Sequence, residues 1–232
     1  MKIGVIAAMD NEAAYLKGRL ENAHESSIAG ATFAEGTLEG IPAVVARSGV
    51  GKVNAALCVQ LLVDRFAVTH VVNTGVAGSL DARIDIGDLV VSTDAVQHDM
   101  DVTYLGYEPG QVPQMDQFSF AADADLRARI VQAAAAVAPE IGVYEGRVAS
   151  GDRFICEDAD KQLIVARFGA LCCEMEGAAI AQACVLNGVP FVIVRAISDK
   201  ADGSQTELYQ EFEDKAAEHC AHIVERVFSD LR

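Results

Sequence analysis

Basic side chains are scarce in this sequence: 18 lysines and arginines stand against 34 aspartates and glutamates, which gives a formal net charge of -16. A nucleic-acid-binding surface is normally basic, and anionic membranes attract basic segments. The sequence therefore predicts neither a nucleic-acid partner nor a membrane partner. The simplest interpretation of the acidity is solubility.

Clustered metal-binding motifs are also lacking. The six cysteines form no C-x-x-C pair, and the five histidines form no H-E-x-x-H motif. Several cysteines lie in apolar segments, which is typical of reduced, buried thiols in a cytoplasmic protein. We expect no disulfide framework and no zinc site.

Long apolar runs are lacking as well, and none is long enough to span a bilayer. Residues 1–9 resemble a short signal segment, but Asp10 and Glu12 follow at once and no cleavage-site region follows. We interpret this segment as a first strand. With 232 residues and 51% hydrophobic content, the chain suits one domain over 1–232, with a core large enough to fold without disulfides or a structural metal.

Strand-like and helix-like segments alternate along the chain. The apolar strand-length runs, many rich in Val and Ile, are 2–8, 28–37, 41–47, 69–77, 88–96, 142–150 and 190–198. Helix-period segments are 10–22, 51–65, 122–138, 158–168, 174–187 and 205–229. This alternation predicts an α/β fold with a central, mixed and twisted sheet flanked by helices. Glu39-Gly40 marks a hairpin turn between 28–37 and 41–47.

Several strand ends carry residues suited to a ligand site. Glu12 follows the first strand, where open α/β sheets bind ligands, or it only complements the dipole of the first helix. The glycine-rich segment 48–53 lacks the P-loop Ser or Thr, so we interpret it as a tight turn. The glycines of segment 73–80 either expose backbone to a ligand or form an ordinary turn.

Charged residues near the end of the chain are more informative. Arg195 interrupts an apolar strand, so it either lies buried beside an anion or faces water on an edge strand. Asp199 ends that strand as a general acid or as a turn cap. Glu174 and Glu176 precede a helix of small residues, either as acceptors for a ribose diol or as solvated helix-start acids. Together these residues predict an enzyme that acts on a polar small molecule.

The segment 98–120 is a long, polar connection that contains apolar residues. Loops of this length in compact domains are usually functional or mobile. We expect it to form a pocket wall or a subunit contact, or else to pack on its own domain.

These segments together resemble the nucleoside phosphorylase/hydrolase superfamily, and within it the 5′-methylthioadenosine/S-adenosylhomocysteine nucleosidases. The resemblance runs almost end to end. It rests on IGVIAAM at 3–9 with Glu12, SGVGKV at 48–53, NTGVAG at 73–78, HDMDVT at 98–103 with Gly106-Tyr107, SGDRFI at 150–155, EME at 174–176 and RAISD at 195–199.

The resemblance implies a division of chemical labour. Asp199 would protonate N7 of adenine, with Ser198 orienting it, and Glu12 would deprotonate the attacking water. Arg195 would fix that water and the acid, and Glu176 would hold the ribose hydroxyls. This matches the paired carboxylates of glycosidases. It requires no metal and no organic cofactor.

Substrate contacts are implied in the same way. Met175 would pack against the ribose, Phe154 would stack on adenine, and the Ile155 backbone would read the edge of the base. The other implied contacts are Val76, Ala77, Gly78 and Glu174.

The pocket for the 5′ group is implied to be shared between subunits. Leu105, Tyr107 and Pro113 of the 98–120 loop would complete the neighbouring site, which implies a homodimer. The expected substrates are 5′-methylthioadenosine, S-adenosylhomocysteine and 5′-deoxyadenosine.

Three alternatives stay open on the sequence. An aminodeoxyfutalosine hydrolase would change only the 5′ pocket, and a phosphorylase would need cations for phosphate. Asp10 and Glu12 would repel phosphate and Arg47 stands alone, which favours hydrolysis. A non-catalytic nucleoside-binding protein would not need Glu12, Glu176 and Asp199 together. Val76 replaces the serine that these nucleosidases often carry beside the ribose and water.

Overall fold

The computed structural model describes residues 1–201 and 209–232. Within them the chain forms one α/β domain with a mixed sheet of ten strands. The strands are β1 (Ile3–Ala7), β2 (Glu21–Ile28), β3 (Ala31–Leu38), β4 (Ile41–Arg47), β5 (His70–Ser79), β6 (Leu89–Gln97), β7 (Phe120–Ala121), β8 (Val143–Ser150), β9 (Cys172–Glu174) and β10 (Phe191–Asp199). The helices are α1 (Asp10–Arg19), α2 (Lys52–Phe66), α3 (Ala124–Val137), α4 (Asp158–Phe168), α5 (Gly177–Asn187) and α6 (Tyr209–Asp230).

The sheet curls until part of it closes. Strands follow the order β10-β6-β8-β9-β5-β1-β4-β3-β2, and β10 also pairs in parallel with β5. The ring of β5, β10, β6, β8 and β9 brings the carboxyl ends of β5, β9 and β10 together. Strand β1 pairs in parallel with β5 and adds its own carboxyl end beside them.

Helices cover both faces of the sheet, as the alternating strand side chains require. Val192 and Val194 pack with α1, α3 and α6, whereas Phe191 and Ile193 pack with α2 and α5. Successive residues of β10 therefore enter different cores. The α/β prediction is confirmed.

The predicted elements are recovered with shifts at their ends. The turn at Glu39-Gly40 is confirmed, because both residues have positive φ, as a tight hairpin of this hand requires. A second such turn at Ala29-Gly30 divides β2 from β3, so the predicted strand 28–37 begins too early and β2 was missed. The start of the predicted helix 205–229, residues 205–208, lies outside the described residues.

Two predicted helices are too long at one end. Helix α1 stops at Arg19 rather than 22, because β2 begins at Glu21 and continues the chain as an edge strand. Helix α5 begins at Gly177 rather than 174, because residues 172–174 pair with β5 and β8 as β9.

All six cysteines are free, and five of them are buried. Burial raises the pKa of the Cys58 thiol to about 12. Among the described residues, no helix is both long and apolar enough to cross a bilayer.

Candidate active site

A cavity of about 620 Å³, counting its open mouth, lies where the ends of β1, β5, β9 and β10 meet. The predicted site residues that line it are Glu12, Val76, Ala77, Gly78, Phe154, Ile155, Glu174, Met175, Glu176, Arg195, Ser198 and Asp199. These residues come from five separate stretches of the chain, which the fold brings together in one cavity.

Glu12 is fixed in this cavity by backbone donors. It is the third residue of α1, and its Oε2 accepts hydrogen bonds from the N–H groups of Ala8 (2.9 Å) and Met9 (3.0 Å). Its Oε1 accepts a bond from the Val76 N–H at 3.1 Å. The helix-dipole interpretation is therefore incomplete, because the same carboxylate is buried and bonded to β5.

Burial also makes Glu12 a stronger base. Desolvation raises the pKa of its carboxyl above the ordinary value, although Arg195 and the three N–H donors oppose the shift. A carboxylate with a raised pKa accepts a proton from water more readily than a solvated one.

Arg195 lies at the centre of the acidic groups. It is 1% exposed and lies on β10 between β5 and β6, so the edge-strand interpretation is wrong. Its Nη2 donates to Asn73 Oδ1 at 2.8 Å and to the Glu174 carboxylate, and it lies 3.6 Å from Glu176 Oε2. Burial alone lowers the pKa of Arg195, but the charges of the carboxylates outweigh it and raise the pKa above the usual value.

Glu174 is fully engaged by protein groups. Besides Arg195, it accepts bonds from the Ser150 hydroxyl and from the backbone N–H groups of Glu176 (3.1 Å) and Gly177 (2.8 Å). The interpretation of Glu174 as a solvated helix-start acid is wrong. Its carboxylate anchors the entry to α5 and the guanidinium of Arg195.

Glu176 is buried too, but its carboxylate accepts fewer hydrogen bonds from the protein than that of Glu174 and can accept further bonds from a ligand. Its Oε1 accepts one hydrogen bond, from the Gly51 N–H at 2.8 Å. Burial and the nearby Glu174 raise the pKa of Glu176 to about 7, with Arg195 opposing them. Arg195 thus faces three carboxylates, and it lies closer to Glu174 than to Glu176.

The opposite wall carries Asp199. Its Oδ2 accepts a hydrogen bond from the Ser198 hydroxyl at 3.0 Å, and its Oδ1 accepts one from the Ala201 N–H at 2.7 Å. The turn-cap interpretation is correct as far as it goes, but Asp199 also lines the cavity. Asp199 and Ser198 thus present a hydrogen-bonded pair to a ligand.

Two glycines allow these side chains to approach the backbone. A Cβ on Gly75 would come within 2.2 Å of Arg195 Nη1 and 2.4 Å of Glu12 Oε1. A Cβ on Gly78 would come within 2.8 Å of Asp199 Oδ1. The glycines of the segment 73–80 therefore serve the site rather than an ordinary turn.

The loop 98–120 does not reach the cavity of its own chain. Leu105 is exposed, and neither Tyr107 nor Pro113 is among the lining residues. Val112 and Met115 of the same loop pack against the domain core. One part of the loop thus packs against its own domain, whereas Tyr104 and Leu105 are exposed.

Other lining residues escaped the sequence-based prediction: Ala8, Met9, Val50, Arg153 and Cys173. Cys173 precedes Glu174, and Met9 lies between β1 and Glu12, so the neighbouring residues provide a usable signal. Val50 provides no such signal, because the sequence of segment 48–53 predicts only a tight turn. That turn exists, with φ of 87° at Gly49 and 96° at Gly51, but it also borders the site.

Within residues 1–201 and 215–232, no group of three or more His, Cys, Asp or Glu side chains is arranged to hold a metal ion.

Comparison with known proteins identifies the family of this chain. The sequence profile of the Phosphorylase superfamily matches residues 2–229. The 5′-methylthioadenosine/S-adenosylhomocysteine nucleosidase of Geobacillus sp. (strain WCH70) is 41% identical, with 100% of each chain covered. This chain belongs to that nucleosidase family. Its resemblance in sequence is therefore confirmed.

Solved nucleosidases share the fold closely. The nucleosidase of Colwellia psychrerythraea 34H, in complex with adenine, superposes with a TM-score of 0.95 at 40% identity, covering 100% of this chain and 96% of that one. The nucleosidase of Neisseria meningitidis, in complex with methylthio-immucillin-A, also gives 0.95, at 38% identity with 99% of each chain covered.

Proposed function

We propose that this protein hydrolyses the N-glycosidic bond of 5′-methylthioadenosine and S-adenosylhomocysteine, and of 5′-deoxyadenosine. The products are adenine and the 5-substituted ribose. The observation that carries the proposal is that Glu12, Glu176 and Asp199, which are far apart in the sequence, line one cavity. The named relatives and the adenine-bound nucleosidase support it.

Asp199 acts on the base. It gives a proton to N7 of adenine while the N9–C1′ bond breaks, so that the electron pair leaves with a neutral base. Ser198 holds the carboxyl by its hydrogen bond. A positioned proton donor of this kind contributes on the order of 100- to 10,000-fold in rate.

Glu12 acts on the opposite side of the sugar. It takes a proton from water as the water oxygen bonds to C1′, and the backbone donors from Ala8, Met9 and Val76 keep the carboxylate aimed. Arg195 helps to fix the water and the acids around it. The Arg195 charge also offsets part of the negative charge in the cavity.

The substrate is held between these groups. Glu176 accepts hydrogen bonds from the ribose hydroxyls, and Met175 packs against the sugar. Phe154 stacks on adenine, while the Ile155 backbone reads the edge of the base. Val76, Ala77, Gly78 and Glu174 form the rest of the wall around the ribose and the base.

The charge distribution favours water over phosphate as the attacking group. The arginines that line the cavity are already paired, Arg195 with Glu174 and Arg153 with Asp160. Arg47, the cation considered for phosphate, donates to Asp10 Oδ1 (3.3 Å) and to the Gly30 carbonyl (3.0 Å). None of them is available to a phosphate dianion without losing a partner.

We also propose a homodimer in which the tip of the 98–120 loop completes the partner's 5′ pocket. Val53 is 71% exposed and Leu57 is 48% exposed on α2, and Val50 lines the cavity beside them. Lys52 bonds to Asp99, which ties this apolar face to the start of the loop that carries Leu105. An apolar face of this kind commonly marks an interface.

A single nucleosidase domain over 1–232 and a cytoplasmic location complete the proposal. The location rests on the six free cysteines. The function is tested by adenine release from the three substrates, with aminodeoxyfutalosine as competitor substrate. Release from aminodeoxyfutalosine alone would assign the related hydrolase instead.

A further inference from the structure

A second polar cluster, formed by Lys52, Asp99 and Asp152, lies beside the cavity and is connected to Glu176 through Gly51. Gly51 precedes α2 with a φ of 96°, and its N–H donates to Glu176 Oε1 at 2.8 Å. The geometry of this bond depends on the position of the first turn of α2. Asp152 and Asp99, which lie on two other loops, fix that position through hydrogen bonds.

Asp152 is the principal contact with that turn. Its Oδ1 accepts a hydrogen bond from the Lys52 N–H at 2.8 Å, as a capping acid does at a helix start. A Cβ on Gly51 would come within 3.1 Å of the same oxygen, so the loop and the helix start are in close contact. The Asp152 side chain does not itself line the cavity.

Asp99 connects Asp152 to the side chain of Lys52. It accepts hydrogen bonds from the Asp152 N–H at 3.0 Å and from Lys52 Nζ at 2.6 Å. Burial alone would raise the pKa of Asp99, but the Lys52 and Asp152 donors lower it below its ordinary value. Asp99 is therefore a stable anion that locks Lys52 and Asp152 together.

We propose that Asp152 is a positioning residue, which fixes the first turn of α2 so that the Gly51 N–H stays bonded to the Glu176 carboxylate. The inference rests on the proposed function, because Glu176 acts there on the ribose hydroxyls. Asp152 reaches the substrate only through Gly51 and Glu176.

The bond from Gly51 matters because of the other charges around Glu176. Glu174 on β9 and Glu12 on α1 disfavour its ionised form, whereas Arg195 on β10 and the Gly51 N–H favour it. If the Gly51 N–H moves away, Glu176 keeps its proton to higher pH. A protonated Glu176 is a poorer acceptor for two ribose hydroxyls.

The test compares Asp152→Ala with Asp152→Asn in the full-length enzyme, using adenine release from 5′-methylthioadenosine over a range of pH. Alanine removes the acceptor for the Lys52 N–H, whereas the asparagine oxygen preserves it. We expect D152A to lower kcat/KM about tenfold, the value of one lost hydrogen bond, and to move the acid limb of the pH profile upward. D152N is expected to show the same acid limb of the pH profile as the wild type.

Two results would overturn the inference. One is a D152A enzyme with wild-type kcat/KM and an unmoved acid limb. The other is equal impairment of D152A and D152N, which would assign Asp152 a role through its charge. Asp99→Ala provides a second arm if D152A does not fold, with an upward shift of the limb expected and an unmoved limb contradicting the inference. A wild-type enzyme that releases no adenine would overturn the proposed function itself.

Discussion

Gly75 lies directly against the guanidinium of Arg195, and a methyl group on its Cα would come within 2.2 Å of Arg195 Nη1. The same methyl group would press on Glu12 Oε1 at 2.4 Å. Both side chains are buried and hydrogen-bonded, so neither can move aside without losing partners. The backbone of β5 is thus in close contact with the side chains of Arg195 and Glu12.

Replacing Gly75 with alanine should therefore disrupt the active site. We expect Gly75→Ala to lower kcat by about a hundredfold or more, because it displaces Glu12 or Arg195 from the reacting atoms. Gly18→Ala is the matched control, since a Cβ there meets no atom within 4 Å. That helical change should leave turnover intact and add about 0.5–1 kcal/mol of stability. Wild-type turnover in Gly75→Ala would contradict the described packing.

Glu12→Gln should separate chemistry from binding. The amide cannot take a proton from water, so we expect adenine release to fall at least about a hundredfold. Its NH2 group would also face N–H donors of Ala8, Met9 or Val76, which should cost about 1–3 kcal/mol of unfolding free energy. Calorimetric titration with a non-hydrolysable substrate analogue should still show binding. Lost affinity with an unchanged rate per bound enzyme would make Glu12 a binding group only.

The raised pKa of Glu176 predicts a pH-dependent stability. Since its pKa is about 7 in the folded protein and its ordinary value is 4.5, the folded state holds a proton that the unfolded state releases between these values. The free energy of unfolding of the wild type should therefore fall relative to Glu176→Gln as pH rises through that window, and then level off. Denaturant unfolding of both proteins across the window measures the difference. A difference that stays constant, or that changes in the opposite direction, would contradict the described environment.

The proposed dimer can be tested on α2. Val53→Glu would place a carboxylate in an apolar interface without a partner, which should convert the dimer to a monomer. Light scattering after size exclusion measures the mass, and the monomer should also lose adenine release because the 5′ pocket is incomplete. Leu163→Glu, on the exposed face of α4, is the control and should stay dimeric. A wild-type monomer with full activity would refute the proposal.

Much of the fold follows from local pattern, since apolar runs and helical periods place most elements within a few residues. Strand β2 could not be found in this way, because every residue from Glu21 to Ser27 is exposed and all of them except Ala23 are polar. Its order comes from backbone pairing with β3 and from the turn at Ala29-Gly30. Edge strands of this kind carry no hydrophobic signal.

The site is only partly readable from sequence. Arg195 was conspicuous because a charge within an apolar strand requires a buried partner, but that partner, Glu174, could be assigned only from coordinates. The bond from Gly51 to Glu176 joins residues 125 positions apart and involves a backbone N–H that any residue type except proline would supply. No local pattern reports such a contact.

The most direct test is adenine release from 5′-methylthioadenosine in phosphate-free, isotopically labelled water, by the wild type and by Asp199→Asn. The proposed hydrolysis predicts release without phosphate, labelled oxygen at C1 of the ribose product, and a rate at least about a hundredfold lower in the folded Asp199→Asn enzyme. A requirement for phosphate with ribose 1-phosphate as product, or normal turnover by Asp199→Asn, would contradict it.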